Sequence, residues 1–92
     1  MSVRRLAILG STGSIGLSSL KVIRSHPGRL SIVALAAHGN DRMLLEQYRE
    51  FRPKYLCLAD EAAATRLREN LRGESVSVLA GEDELSQLAG LD

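Results

Sequence analysis

The chain is 92 residues long, 45% hydrophobic and 25% charged with a net charge of +1, a single domain's worth of ordinary globular composition. The near-neutral balance, the absence of a Lys/Arg block and an aromatic content of 3% exclude a nucleic-acid surface and the stacking platforms of single-strand binders. One cysteine, Cys57, permits no intramolecular disulfide and fits a reducing compartment; no stretch approaches a membrane span, so the expectation is a soluble, cytoplasmic protein.

The N-terminal "MSVRRLAILG" starts like a signal peptide, but its apolar part, Leu6–Leu9, is too short for the hydrophobic region of one. The run "RLAIL" (Arg5–Leu9) instead predicts a first strand. Three glycines follow at three-residue spacing, and then Gly16, Leu20 and Ile23 share one face of a first helix. "SHPG" (Ser25–Gly28) stops that helix, because Pro27 cannot continue it, and His26 is read as part of the stop. "SIVALAA" (Ser31–Ala37) is a second strand. Asp41 is expected to cap the second helix, whose inner face carries Leu44, Tyr48 and Phe51, with Pro53 just beyond its end. "YLCLA" (Tyr55–Ala59) is a third strand, with Cys57 read as an inert core thiol. Asp60 and Glu61 open a third helix faced by Ala64, Leu67 and Leu71, and Gly73 follows its end. "SVSVLA" (Ser75–Ala80) predicts a fourth strand. A short fourth helix over Glu82–Ala89 has acids in its first turn and Gly90 behind it.

Four strands alternating with four helices predict an α/β fold: a doubly wound, Rossmann-like parallel sheet in three layers, α/β/α. The first three strands are apolar at consecutive positions, as strands buried on both faces are. Strand order 3-2-1-4 is the expectation, and the chain reads as a truncated piece of a longer domain.

The glycines carry the function. In "GSTGSIG", Gly10 turns the chain off the strand, Gly13 lets a pyrophosphate lie against bare backbone, and Gly16 lets helix and strand pack closely. The helix N-terminus supplies free N–H groups and partial positive charge, and Ser11, Thr12 and Ser14 add hydroxyl donors. A strand before and a helix after raise this above a lone glycine pattern, whose other reading is a turn that only packs. No Lys follows the last glycine, which excludes a Walker A loop. Dinucleotide binding is the expectation.

The second strand selects the dinucleotide. An NAD-type site ends it in Asp or Glu, to hold the ribose 2′-OH. Here it ends "ALAAHGND", with no acid before Asp41, so a 2′-phosphate meets no repulsion. His38 and Arg42 are the nearest cationic groups, and Gly39 and Asn40 can donate hydrogen bonds; for His38 an exposed loop position is the competing reading. NADP(H) is favoured over NAD(H). No paired carboxylates, metal-ligand cluster or nucleophile–base arrangement stands out, so no catalytic or metal-binding residue is assigned.

The residues also carry a resemblance. "RLAILGSTGSIGLSSLKVIRSHPGRLSIVALAAHGND", and then "FRPKYLCLADEAAATRLRENL" and "VLAGEDELSQLA", resemble the N-terminal part of 1-deoxy-D-xylulose 5-phosphate reductoisomerases. The family typically opens with a strand, GSTGSIG, a helix ending in a His-Pro or Asn-Pro turn, a "VAL-A" strand and a polar loop ending in Asn. The resemblance implies NADPH-dependent isomerisation and reduction of a phosphorylated sugar, 1-deoxy-D-xylulose 5-phosphate, to 2-C-methyl-D-erythritol 4-phosphate in non-mevalonate isoprenoid synthesis. It implies a homodimer that also needs Mg²⁺ or Mn²⁺. The family's cofactor contacts fall on Thr12, Gly13, Ser14 and Ile15, and on His38, Gly39 and Asn40. Gly39 stands where relatives often have Lys, Arg or Ser, which raises the interest of Arg42. Metal, substrate and catalytic residues of the family lie downstream of residue 92, so this stretch alone is expected to be inactive. Two other readings stay open: the cofactor domain of a semialdehyde or acyl-phosphate dehydrogenase, and a free-standing NADP(H)-binding sensor.

Overall fold

The computed structural model describes residues 4–26 and 28–81. Four parallel strands alternate with three helices: β1 (Arg4–Leu9), α1 (Ser14–Arg24), β2 (Leu30–Ala37), α2 (Asp41–Phe51), β3 (Tyr55–Leu58), α3 (Glu61–Asn70) and β4 (Ser77–Ala80). Each element lies where the hydrophobic pattern puts it, to within two residues. Pro27 and the fourth helix expected over 82–89, with Gly90 behind it, lie outside the described residues.

Alternation along the strands divides the core in two. Leu6, Ile8, Ile32, Leu35, Ala37, Leu56, Leu58, Val78 and Ala80 face Leu20 and Ile23 of α1, Leu44 and Tyr48 of α2, and Ala63, Ala64 and Leu67 of α3. The opposite face carries Ala7, Val33, Ala34, Ala36, Cys57 and Leu79. Ala34, Ala36 and Cys57 on it are buried as well, which is why these strands are apolar at consecutive positions. Cys57 is the core thiol the sequence implied. A one-residue register shift opposite Leu6/Ala7 leaves Val33 as the extra residue of β2, and its carbonyl takes a hydrogen bond from the Lys54 N–H at 3.0 Å. The bulge keeps Ile32 and Leu35 on the same face.

The strand order corrects an expectation. It is β1-β2-β3-β4, not 3-2-1-4. The reason lies in where α3 packs: Ala63, Ala64 and Leu67 lie in the core against β3 and β4, which delivers residues 71–76 beside β3. β4 therefore pairs beside β3, Tyr55 opposite Ser77 through Leu58 opposite Ala80. Three crossovers stepping the same way put α1, α2 and α3 over the same face, where their buried side chains share one core. Among the described residues the reversal of winding direction does not occur.

A second correction concerns α2. Its N-cap is Asn40, not Asp41: the Asn40 side-chain oxygen accepts the Met43 N–H at 3.1 Å. Asp41 is the first helical residue and turns to α3, where Arg66 donates to it at 3.1 Å. The α3 cap is Asp60, as read from the sequence. The first helix stops as expected, with His26 Nδ1 within 2.9 Å of the Val22 carbonyl.

Candidate functional site

All four strands end level, with Leu9 opposite Ala36, Ala37 opposite Leu58 and Leu58 opposite Ala80. The segments that follow them form one rim at the carboxyl edge of the sheet, where open α/β folds take their ligands. Backbone bonds tie the rim together. Ser11 N–H donates to Ala36 O at 2.9 Å, Ala59 N–H to Ala37 O at 3.1 Å, Asp60 N–H to His38 O at 2.8 Å and Gly81 N–H to Leu58 O at 2.9 Å. The glycine turn and the loop after β2 are thus neighbours.

The three motif glycines have different physical reasons. Gly10 has φ +70°, a conformation costly for any residue with a Cβ. A Cβ on Gly16 would lie 2.2 Å from Gly10 O and 2.6 Å from Ser11 Cα, so only glycine lets α1 start this close to β1. Gly13 differs from both. Its φ of −87° and ψ of 174° suit any residue, and a Cβ there would meet only Gly10 O at an ordinary 3.5 Å. Nothing internal requires a glycine at 13. Its bare backbone faces outward.

Gly13 is also the N-cap of α1, and no side chain caps this helix or places an acid in its first turn. Helices α2 and α3 each have both, through Asn40 with Asp41 and Asp60 with Glu61. The Gly13 N–H closes the turn onto Gly10 O at 3.0 Å, while the Thr12 and Ser14 N–H groups take no partner among the described residues. An uncapped helix start beside open glycine backbone can receive an anionic group.

The residues expected at the site do not all face it. Thr12 is half-buried, and Gly13 and Ser14 are exposed. Ile15 lies in the first turn of α1, with its side chain outside the described residues. Ser11 departs from the expectation of a hydroxyl donor: it is fully buried, and its Oγ has no hydrogen-bond partner among the described residues. The Gly10 turn tucks it under the rim. There its carbonyl accepts a 2.8 Å hydrogen bond from Nε2 of Gln47, a buried α2 residue that sequence reasoning passed over. The signal was available, since Gln47 lies on the buried face with Leu44 and Tyr48, one polar residue among apolar ones.

In the second loop His38 is exposed and Gly39 half-buried. A Cβ on Gly39 would pass Asp60 Cβ at 3.6 Å and Oδ2 at 3.7 Å, so a side chain would fit beside that carboxylate. Asn40 spends its oxygen on the cap. Arg42 is exposed and lines a groove between α2 and α3 with Asp41, Leu45 and Arg66. Arg66, also unforeseen, holds the Asp41 carboxyl below the usual carboxylate range, chiefly by hydrogen bonding to it. The one acid near the second loop on α2 is therefore neutralised by an ion pair. Among the described residues no cluster of His, Cys, Asp or Glu could hold a metal ion, and no helix is long and apolar enough to cross a membrane.

Comparison with known proteins gives a consistent result. Residues 6–92 match the family described as 1-deoxy-D-xylulose 5-phosphate reductoisomerase. The member from Nitrosospira multiformis is 47% identical over 99% of this chain, which spans 24% of that relative. The member from Chlorobaculum tepidum is 46% identical over 98% of the chain, again spanning 24% of the relative. The chain thus spans about a quarter of the length of these relatives. Among solved structures, the reductoisomerase from Zymomonas mobilis in complex with NADPH superposes with a TM-score of 0.89 at 35% identity, covering 96% of this chain and 23% of the other. A reductoisomerase complex with NADPH, fosmidomycin and magnesium gives 0.87 at 36% identity, covering 95% of this chain and 22% of the other.

Proposed function

The chain belongs to the 1-deoxy-D-xylulose 5-phosphate reductoisomerase family, and from that premise we propose that it is the NADPH-binding portion of such an enzyme. The observation that carries the reading is Gly13: an outward-facing glycine that neither its dihedral angles nor its neighbours require. A pyrophosphate lying against the backbone is a reason for it. Thr12 and Ser14 supply N–H and hydroxyl donors there, Gly10 shapes the turn, and Ile15 adds the first turn of α1. Ser11 acts from beneath, as a buried anchor.

On this reading His38, Gly39 and Asn40 receive the adenosine ribose, and Arg42, exposed and without an ion-pair partner among the described residues, meets its 2′-phosphate. The pairing of Asp41 with Arg66 offsets one of the two carboxylates near that phosphate; the other, Asp60 beside Gly39, accepts the Ala62 N–H as the cap of α3. NADPH, when bound, supplies a hydride; these residues bind and orient it. Metal, sugar-phosphate and proton-transfer residues belong to other parts of a longer polypeptide, of which 1–92 is one stretch. The whole protein is proposed to isomerise and reduce 1-deoxy-D-xylulose 5-phosphate to 2-C-methyl-D-erythritol 4-phosphate, as a cytoplasmic homodimer. The test is NADPH titration of the parent protein and of Gly13→Ala. The parent should bind and the variant should bind at least tenfold more weakly, about 1.4 kcal/mol; equal affinity sinks the pyrophosphate assignment.

A further inference from the structure

We propose that Gln47 is a positioning residue for dinucleotide binding, aiming the glycine turn at the pyrophosphate from behind. The proposal rests on the NADPH reading above and adds to it a residue that touches no ligand. Gln47 is 5% exposed, and its Nε2–H donates to the Ser11 carbonyl at 2.8 Å. Ser11 is held on its other side too, its N–H donating to Ala36 O at 2.9 Å. One bond fastens the turn to β2 and the other to α2.

The consequence follows from peptide geometry. There is no cis peptide bond in the described chain, so the Thr12 N–H points opposite to the Ser11 C=O across the same plane. Fixing that carbonyl toward Gln47 fixes the Thr12 N–H away from it, outward, where it takes no partner among the described residues. Gln47 thereby sets a donor it never contacts. It also joins the two ligand-facing segments, since the helix that carries it starts from the second loop at the Asn40 cap.

A purely structural role explains Gln47 poorly. Its Oε1 is buried with no hydrogen-bond partner among the described residues, and so is Ser11 Oγ. Burying an amide with half its capacity unmet costs stability that an apolar side chain between Leu44 and Tyr48 would not. The turn's orientation is what the amide secures.

The test uses the full-length protein and two ligands, NADP⁺ and adenosine 2′-phosphate, which lacks the pyrophosphate. Gln47→Met keeps length and removes the donor. The expected result is about a tenfold rise in the NADP⁺ dissociation constant with adenosine 2′-phosphate unchanged within about twofold. Unchanged NADP⁺ affinity, or equal weakening of both ligands, overturns the proposal. Should the Met variant fail to fold, Gln47→Leu decides by the same two titrations: NADP⁺ should again weaken about tenfold with adenosine 2′-phosphate unchanged. Unchanged NADP⁺ affinity, or equal weakening of both ligands, overturns the proposal. A parent that binds no NADP⁺ refutes the cofactor reading instead, which separates the two failures.

Discussion

Gly16 sits against the Gly10 carbonyl so closely that a methyl group on it would lie 2.2 Å from that oxygen. Gly13, three residues earlier, has room for the same methyl at 3.5 Å. The two glycines therefore separate folding from binding. Gly16→Ala should cost about 3 kcal/mol, because the clash is with backbone and cannot be relieved by a rotamer change. Gly13→Ala should keep stability within about 1 kcal/mol, the scale of an N-cap change. Urea denaturation of both variants checks this, and similar stability losses would contradict it.

Arg42 tests the second loop. It is exposed, whereas nearby Arg66 is committed to Asp41. Arg42→Glu should lower the preference for NADPH over NADH at least tenfold, mostly by weakening NADPH, while leaving the fold intact. Competitive titration measures it. An unchanged preference would move the 2′-phosphate to another cation.

Asn40 has a structural duty that can be measured apart from any ligand. Its side chain accepts the Met43 N–H, so Asn40→Ala should destabilise the protein by about 1 kcal/mol, whereas Asn40→Asp should retain most of the cap. Equal losses in chemical denaturation would show that the cap is not what the residue contributes.

Acid stability follows from two ion pairs. Hydrogen bonds from Arg66 and Arg24 hold the Asp41 and Glu50 carboxyls below their ordinary range. A carboxyl with a lowered folded-state pKa adds stability above its unfolded pKa and loses it as pH falls through the folded value. Stability should therefore decline below about pH 4, and Asp41→Asn should flatten that decline. Both pairs are partly exposed, so added salt should blunt the effect. Denaturation midpoints at several pH values check it.

Much of this was legible in the sequence, for identifiable reasons. Apolar runs broken by Gly10, Pro53 and Asp60 give the elements directly, because turn and cap residues punctuate the chain locally. Strand order was not legible: whether the fourth strand pairs beside β3 or beside β1 depends on where α3 packs, a property of three-dimensional packing. Asn40 and Asp41 are both good caps, and only the helix's starting angle separates them. Ser11 read as a donor because hydroxyls in a glycine turn often are; the Gly10 turn buries it. The position of Gln47 on the apolar face of α2 was readable, but its partner and that of Arg66 lie 36 and 25 residues away, which no local pattern encodes.

The proposed NADPH site rests on a second loop with no acid of its own and on an open Gly13. Calorimetric titration of the protein with NADPH and with NADH tests it most directly. Saturable one-to-one binding of NADPH, at least tenfold tighter than NADH, is the predicted result. Equal affinity for the two, or no binding of either, would contradict the account.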